Sequence, residues 1–504
     1  MTDSYILPKW LYTLEVAAIG CIFFCISMLF KSHKKINIHN FFLIIIFVCF
    51  IQSIYAIIQA IKIQPSNFSL FITGSFDNPA GLSACICMGV PLCIYYFHKM
   101  NNIYIKIFFI TILLIIISAL ILSESRTGIL AGIIFPSLLW FFKKHKGWTI
   151  RGFLIFVFLA LLSLMYYYKK DSADGRFLIL HCCWEMFKDK PIIGYGFDGI
   201  SANYMNYQAK WLSTNPNVSY ELLADNIKHV FNEFIYIVIC FGVIGLILLF
   251  LIIGFLIRCY YKNPTAESKY ALLSLAIISI FSIFSYPFTY PFTWIIFIFN
   301  SYILVDNAYK SLLHPKTGVK NTICIIILFL SVSSFLLITQ RIYAEIEWGK
   351  IARSQIKNKE LFIKYESLMP IMKNNPYFLY NYSVELFDAK EYDKALDISL
   401  KCRNYWADYD LELLLGDLYE KEGLYDKALN HYILAQKMCP NRFLPLYKQF
   451  LVYKKRNELK KMIDIGNIIL TKKIKIPSNI INYIINDVNF NIQNLISINH
   501  ANRK

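Results

Sequence analysis

The sequence predicts an all-α protein: a polytopic membrane body of about ten helices, residues 1–340, followed by a soluble helical tail, residues 341–504. Three observations predict it. Hydrophobic residues make up 57% of the 504, and charged residues only 17%, against about 25% in a soluble domain. The deficit is uneven, with long apolar runs over 10–340 and an ordinary charged sequence after 341. The tail repeats itself, with YDKAL recurring at Tyr392 and Tyr425, a period of 33.

A membrane-crossing helix needs roughly 20 apolar residues. Ten runs satisfy this: about 10–30, 41–61, 78–97, 103–122, 126–142, 150–168, 230–256, 270–286, 290–308 and 322–340. Alternate connections carry Lys31, Lys34, Lys35; Lys99; Lys143, Lys144, Lys146, Arg151; Arg258, Lys262, Lys269; and Lys310, Lys316, Lys320. The intervening short ones carry Lys62, Arg126, and nothing in YPFTYP. Short cytoplasmic loops collect Lys and Arg, so the first set is expected inside. Both termini, the long segment 169–229 and the tail are then expected outside. MTDSYILPKW and the run after it lack the pattern of a cleavable signal peptide, because KSHKK follows and not a small-residue site.

The net charge of +18 is explained by these loop cations. No basic block interleaved with aromatics is present, so no nucleic-acid partner is expected. The 13 cysteines show no zinc spacing, and no metal site is expected. Cys182, Cys183, Cys402 and Cys439 are either oxidisable pairs in an oxidising compartment or small apolar residues.

Residues 194–199, GYGFDG, form a G-x-G-x-x-G. A dinucleotide fingerprint needs a strand before it and a βαβ unit around it. Here Phe177, Leu180, Trp184 and Phe187 recur at helical spacing before it, so an amphipathic helix precedes the glycines. The nucleotide reading fails, and no cofactor is expected. A glycine turn, or a turn whose amides face a lipid phosphate, remains.

The segment GRFLILHCCWEMFKDKPIIGYGFDGI (175–200) resembles the loop signature of the O-antigen ligase and polymerase family: an Arg and a Trp before Pro-x-x-Gly-x-Gly. GSFDNPAGLSA (74–84), SESRTGILAG (123–132) and HVFNEFIYIVICFGVIG (229–245) resemble other family segments, in the family's order. The resemblance implies a GT-C-like fold at the bacterial inner membrane, with loop and tail in the periplasm. It also implies transfer of a glycan from undecaprenyl diphosphate, with no nucleotide sugar, to lipid A-core, a growing polymer or a protein hydroxyl.

That chemistry assigns candidate roles. A departing lipid diphosphate wants fixed cations, and arginine's planar fork binds phosphate bidentately. Arg126, at the outer end of a span, and Arg176, opening the amphipathic helix, are the candidates; the resemblance implies a diphosphate contact for Arg176, where the family places such an Arg. Each is otherwise an interfacial or solvated charge. His229 is the candidate base or orienter for the acceptor hydroxyl. The family's histidine directly precedes the Asn, whereas here Phe231 precedes Asn232. On a helix, two residues turn the side chain by about 200°, so His229 reaches the site only from a loop. Glu233 is the alternative base, and with none Asn232 and the arginines carry the site. Asn78 either bonds the substrate or caps the span begun by Pro79. Asp198 either meets a sugar or serves its turn. Tyr286 and Tyr290 are either a sugar platform or an interfacial belt.

In the tail, Leu415, Gly416, Tyr419, Gly423, Tyr425, Ala428, Tyr432, Ala435 and Pro440 fit tetratricopeptide spacing. The clearest repeats lie within 376–440, with degenerate pairs flanking them. Such a tail either binds a protein partner or packs on the long loop. Two rivals to the enzyme are a lipid-linked glycan transporter, which predicts charges buried inside spans, and a non-catalytic assembly scaffold.

Overall fold

The computed structural model describes residues 38–62, 72–137, 170–216, 218–309, 317–354 and 359–501, with scattered positions between 147 and 167. The expected spans at 10–30 and 150–168, and the end of that at 126–142, lie outside the described residues. Every regular element among the described residues is helical.

The chain divides into two compact units. The first comprises residues 1–168, 231–235 and 246–342. Its helices begin with α1 (Ile38–Lys62), α2 (Pro79–Ile86), α3 (Gly89–Lys99), α4 (Ile103–Leu122) and the single turn α5 (Arg126–Ile129), which runs into a π-helical turn. Later in the chain come α9 (Glu233–Lys262), α10 (Ala266–Phe284), α11 (Pro291–Tyr309) and α12 (Thr317–Ala352), of which residues 236–245 of α9 and 343–352 of α12 belong to the second unit. Among the described residues, α1, α2 with α3 (Pro79–Lys99), α4, α9 and α10 are long and apolar enough to cross a membrane. The core is built from Cys49, Leu82, Ile86, Tyr95, Ile116, Ile277, Phe281 and Ile303, all buried. Outward faces stay apolar: Phe47, Phe108, Ile247, Leu248 and Leu251 are exposed, as lipid-facing residues must be.

The second unit comprises residues 169–230, 236–245 and 343–504. Segment 169–229, read from the sequence as a long loop between spans, thus falls in the same unit as the tail. It holds α6 (Lys170–Asp189), α7 (Gly199–Thr214) and α8 (Val218–Leu223). The tail holds α13 (Lys359–Met372), α14 (Pro376–Asp388), α15 (Tyr392–Arg403), α16 (Tyr409–Lys421), α17 (Tyr425–Met438), α18 (Leu444–Lys455), α19 (Leu459–Thr471) and α20 (Asn479–Ala501).

The tail's period is visible in its helix starts. Pro376 and Tyr409 open one helix of each hairpin and Tyr392 and Tyr425 the other, both 33 residues apart. The caps repeat too. Asn375 accepts from the amides of Tyr377 and Phe378, and Asp408 from those of Asp410 and Leu411. Each satisfies helix-end donors that would otherwise lack partners. Phe378, Leu379, Leu386, Ala395, Leu411, Leu415 and Leu418 form a shared core between the hairpins.

Asp408 yields a pH prediction. Its carboxylate is buried, and desolvation pushes its pKa up to about 7, partly offset by the Asn226 amide and the capped backbone amides. The folded state therefore holds a proton that the unfolded chain releases near the ordinary value of 3.8. This group's contribution to stability is full below about pH 4 and is lost as pH rises through 7. The Asp408→Asn variant keeps a cap without the titration. Relative to wild type, it is expected to gain a few degrees in Tm between pH 5 and 8, measured by thermal unfolding across that range. Parallel pH profiles for the two proteins would contradict this.

Candidate functional site

In the first unit, the polar candidates collect at helix ends. Asn78 is the N-cap of α2, its Oδ1 accepting from the Gly81 amide at 2.8 Å. Its Nδ2 donates to the hydroxyls of Tyr286 (3.0 Å) and Tyr290 (2.8 Å). The Tyr290 hydroxyl in turn donates to Asp77 Oδ1 at 2.9 Å. Asn78 thus both caps its helix and ties together two tyrosines more than 200 residues away in sequence. The two rings stack at 6.4 Å between centroids, and Tyr290 is buried. Asp77, an exposed acid at the end of this chain of hydrogen bonds, was not singled out from the sequence. Its only signal was its place directly before Asn78 in FDNPA.

The start of α9 joins the same region. Asn232 is its N-cap, Oδ1 accepting from the Ile235 amide at 3.0 Å while Nδ2 donates to the Ile283 carbonyl at 2.9 Å. Glu233 Oε1 accepts from the Phe288 amide at 3.0 Å. Phe231, standing where the family's histidine is expected, has a positive φ of 56° and lays its ring edge-on to Tyr286 at 5.4 Å. Arg126 is half-buried at the first position of α5, behind the N-cap Ser125. The α5 turn lies against α2: a Cβ on Gly128 would stand 2.7 Å from Ser83 Cβ.

The second unit holds Arg176, Asp198 and His229. Arg176 is half-buried on α6. Asp198 is exposed at the N-cap position of α7 but makes no capping hydrogen bond. Residues 224–232 are not helical, so His229 lies in a loop three residues before the N-cap Asn232. The wrong-face objection to His229 therefore does not apply.

The tail grips the segment leading to His229. Asn441 Nδ2 donates to the Ala224 carbonyl at 2.7 Å. Arg442 pairs with Asp225 at 2.7 Å, and Asn226 Nδ2 donates to Asp408 Oδ2 at 2.8 Å. Helix α7 is held as well: Gln208 donates to the Met438 carbonyl at 2.7 Å, and the Ala407 amide to that of Ser201 at 2.9 Å.

The glycine motif also finds its reason here. Gly242 breaks α9 with φ 63° and ψ −162°, a region essentially reserved for glycine. The break opens two helical hydrogen bonds. The Tyr195 amide donates to the Ile239 carbonyl (2.9 Å) and the Gly196 amide to that of Cys240 (2.8 Å). The Val243 amide donates to the Pro191 carbonyl (2.9 Å) and the Ile244 amide to that of Ile192 (3.4 Å). Residues 191–196 thus supply all four partners that the break sets free. Gly194 lies so close that a Cβ would stand 2.6 Å from the Cys240 carbonyl carbon. The glycines serve a backbone joint.

The fold and these helix-end clusters define a multi-pass, all-helical membrane protein with polar side chains gathered at the ends of apolar helices. A family model described as O-antigen ligase matches residues 110–250, so this stretch of the chain is similar to the O-antigen ligase family. The matched residues include Arg126, Arg176, His229, Asn232, Glu233 and both sides of the Gly242 joint; Asn78, Tyr286 and Tyr290 lie outside them. A search of curated proteins found no match to the chain.

Proposed function

We propose that the protein transfers an oligosaccharide or polysaccharide from undecaprenyl diphosphate to a hydroxyl of lipid A-core or of a protein. The reaction takes place at the periplasmic face of a ten-span inner-membrane body, and needs no nucleotide sugar. The observation that carries this reading is that one family-matched stretch holds both candidate arginines and the loop histidine. Arg126 and Arg176 bind the diphosphate oxygens and stabilise the charge that develops as the bond from the sugar's anomeric carbon to the diphosphate breaks. The acceptor oxygen forms the new bond to that carbon, and its proton passes to His229. Asn232 and Glu233 fix the start of α9. Asp77, Asn78, Tyr286 and Tyr290 form a hydrogen-bonded wall beside it. The tail is of tetratricopeptide type, supported by its 33-residue hairpin period, and its free face serves a protein partner. When the acceptor is a growing chain, the same chemistry is polymerisation.

The reading is tested with proteoliposomes given undecaprenyl-diphosphate-linked glycan and acceptor. Undecaprenyl diphosphate is expected to appear in step with glycosylated acceptor. His229→Ala is expected to slow both by about 100-fold or more, as loss of a general base does, while donor binding is retained. Unchanged turnover in His229→Ala would remove this residue from the mechanism. No release by the wild-type protein would remove the transferase reading.

A further inference from the structure

Helix α6 carries two apolar faces. Leu178, Ile179, Cys182, Cys183 and Met186 are buried. Phe177, Leu180 and Trp184, at i, i+3 and i+7, are exposed, as are Ile192 and Ile193 in the turn that follows, at 64% and 75%. A soluble loop does not leave such a run of large apolar side chains in water.

The joint fixes what covers them. Residues 191–196 are hydrogen-bonded to α9 on both sides of Gly242. From Gly242 to Ile257, just before Arg258, are sixteen residues, or about 24 Å of helix. The hydrocarbon layer is about 30 Å thick, so the joint falls inside it. Next to the joint, Phe241, Val243 and Ile244 of α9 are themselves exposed, and Ile192 and Ile193 extend that surface. Backbone at this depth is tolerated only when its polar groups are satisfied within the protein, and the four joint hydrogen bonds meet that demand.

We propose that the turn 191–197 is a re-entrant element embedded among lipid acyl chains, and that the Phe177–Leu180–Trp184 face of α6 lies on the bilayer and enters it there. The segment connecting two spans is thus in part a membrane element. This inference depends on α9 crossing the bilayer and is independent of the reaction catalysed.

The test is spin labelling of the full chain in phosphatidylcholine vesicles. Nitroxides are placed by Ile193→Cys and Trp184→Cys, with Leu248→Cys as the lipid reference and Lys421→Cys as the aqueous one. Labelled wild type supplies the background, which the burial of all described cysteines keeps low. Collision with oxygen is compared with collision with a water-soluble nickel chelate. The oxygen-to-nickel ratio at 193 is expected to match that at 248 and to exceed that at 421 severalfold, with 184 between them. A ratio at 193 and 184 equal to that at 421 overturns the proposal. So does shielding of both labels from both reagents, which would mean that protein covers the face.

Discussion

Gly242→Ala is expected to unfold the joint between α9 and residues 191–196. The backbone there has φ 63° and ψ −162°, and holding a non-glycine residue in such a conformation costs about 1–3 kcal/mol. The added Cβ would also stand 2.0 Å from the Ile192 carbonyl oxygen and 2.2 Å from its carbon. These are backbone atoms, so relief requires the turn to withdraw. Withdrawal leaves the carbonyls of Ile239 and Cys240 and the amides of Val243 and Ile244 without partners, and in lipid each such group costs several kcal/mol. At roughly 2–4 °C per kcal/mol, the apparent Tm in detergent is expected to drop by on the order of 10 °C or more. Gly194→Ala is expected to act in the same direction, because its Cβ would meet the Cys240 carbonyl at 2.6 Å. Gly254→Ala is the control: it lies in the same helix with nothing within 4 Å, where alanine is the better helix former. Equal melting of Gly242→Ala and Gly254→Ala would contradict the joint.

The second large effect is chemical. Arg126→Ala and Arg176→Ala are each expected to lower glycan transfer by about 10²–10³, the range for loss of a preorganised electrostatic donor. Arg→Lys is expected to recover only part, because an ammonium keeps the charge but loses the bidentate fork. The variants' melting should stay near wild type, since both side chains are only half-buried. Initial rates with lipid-linked glycan check this, with melting curves run on the same preparations. A loss of rate that merely tracked a loss of folded protein would make the arginines structural.

What was legible in the sequence follows the range of the forces involved. Apolar runs, the Asn-Pro start of α2 and the tail's YDKAL period are local patterns, and those that fall on described residues appear in the structure as helices or helix starts. The GYGFDG motif was local too, and the helix before it, where a dinucleotide fingerprint needs a strand, was readable from helical spacing. Its true partner, the backbone around Gly242, lies about fifty residues on, and no one-dimensional pattern links a turn to a helix break. The same holds for Asn78 and its two tyrosines. Asn78 as a cap was readable from Pro79, but its second hydrogen-bonding edge depended on the folding of α10 and α11. The ambiguity of His229 turned on where a helix begins. Asn232 caps α9, and that boundary leaves the histidine in the loop. Asp77 was missed because an acid beside a capping asparagine reads as surface polarity until the Tyr290 hydroxyl is seen to bond it.

The most direct test is glycan display in a knockout complemented with wild type, Arg176→Ala or His229→Ala at matched expression, with lipopolysaccharide and glycoprotein blotted side by side. Loss of one glycan band in Arg176→Ala, with the protein still in the membrane, is the predicted result, and the band that vanishes names the acceptor. Normal display by both variants, alongside loss in the knockout, would contradict a catalytic role for these residues and leave a scaffold in its place.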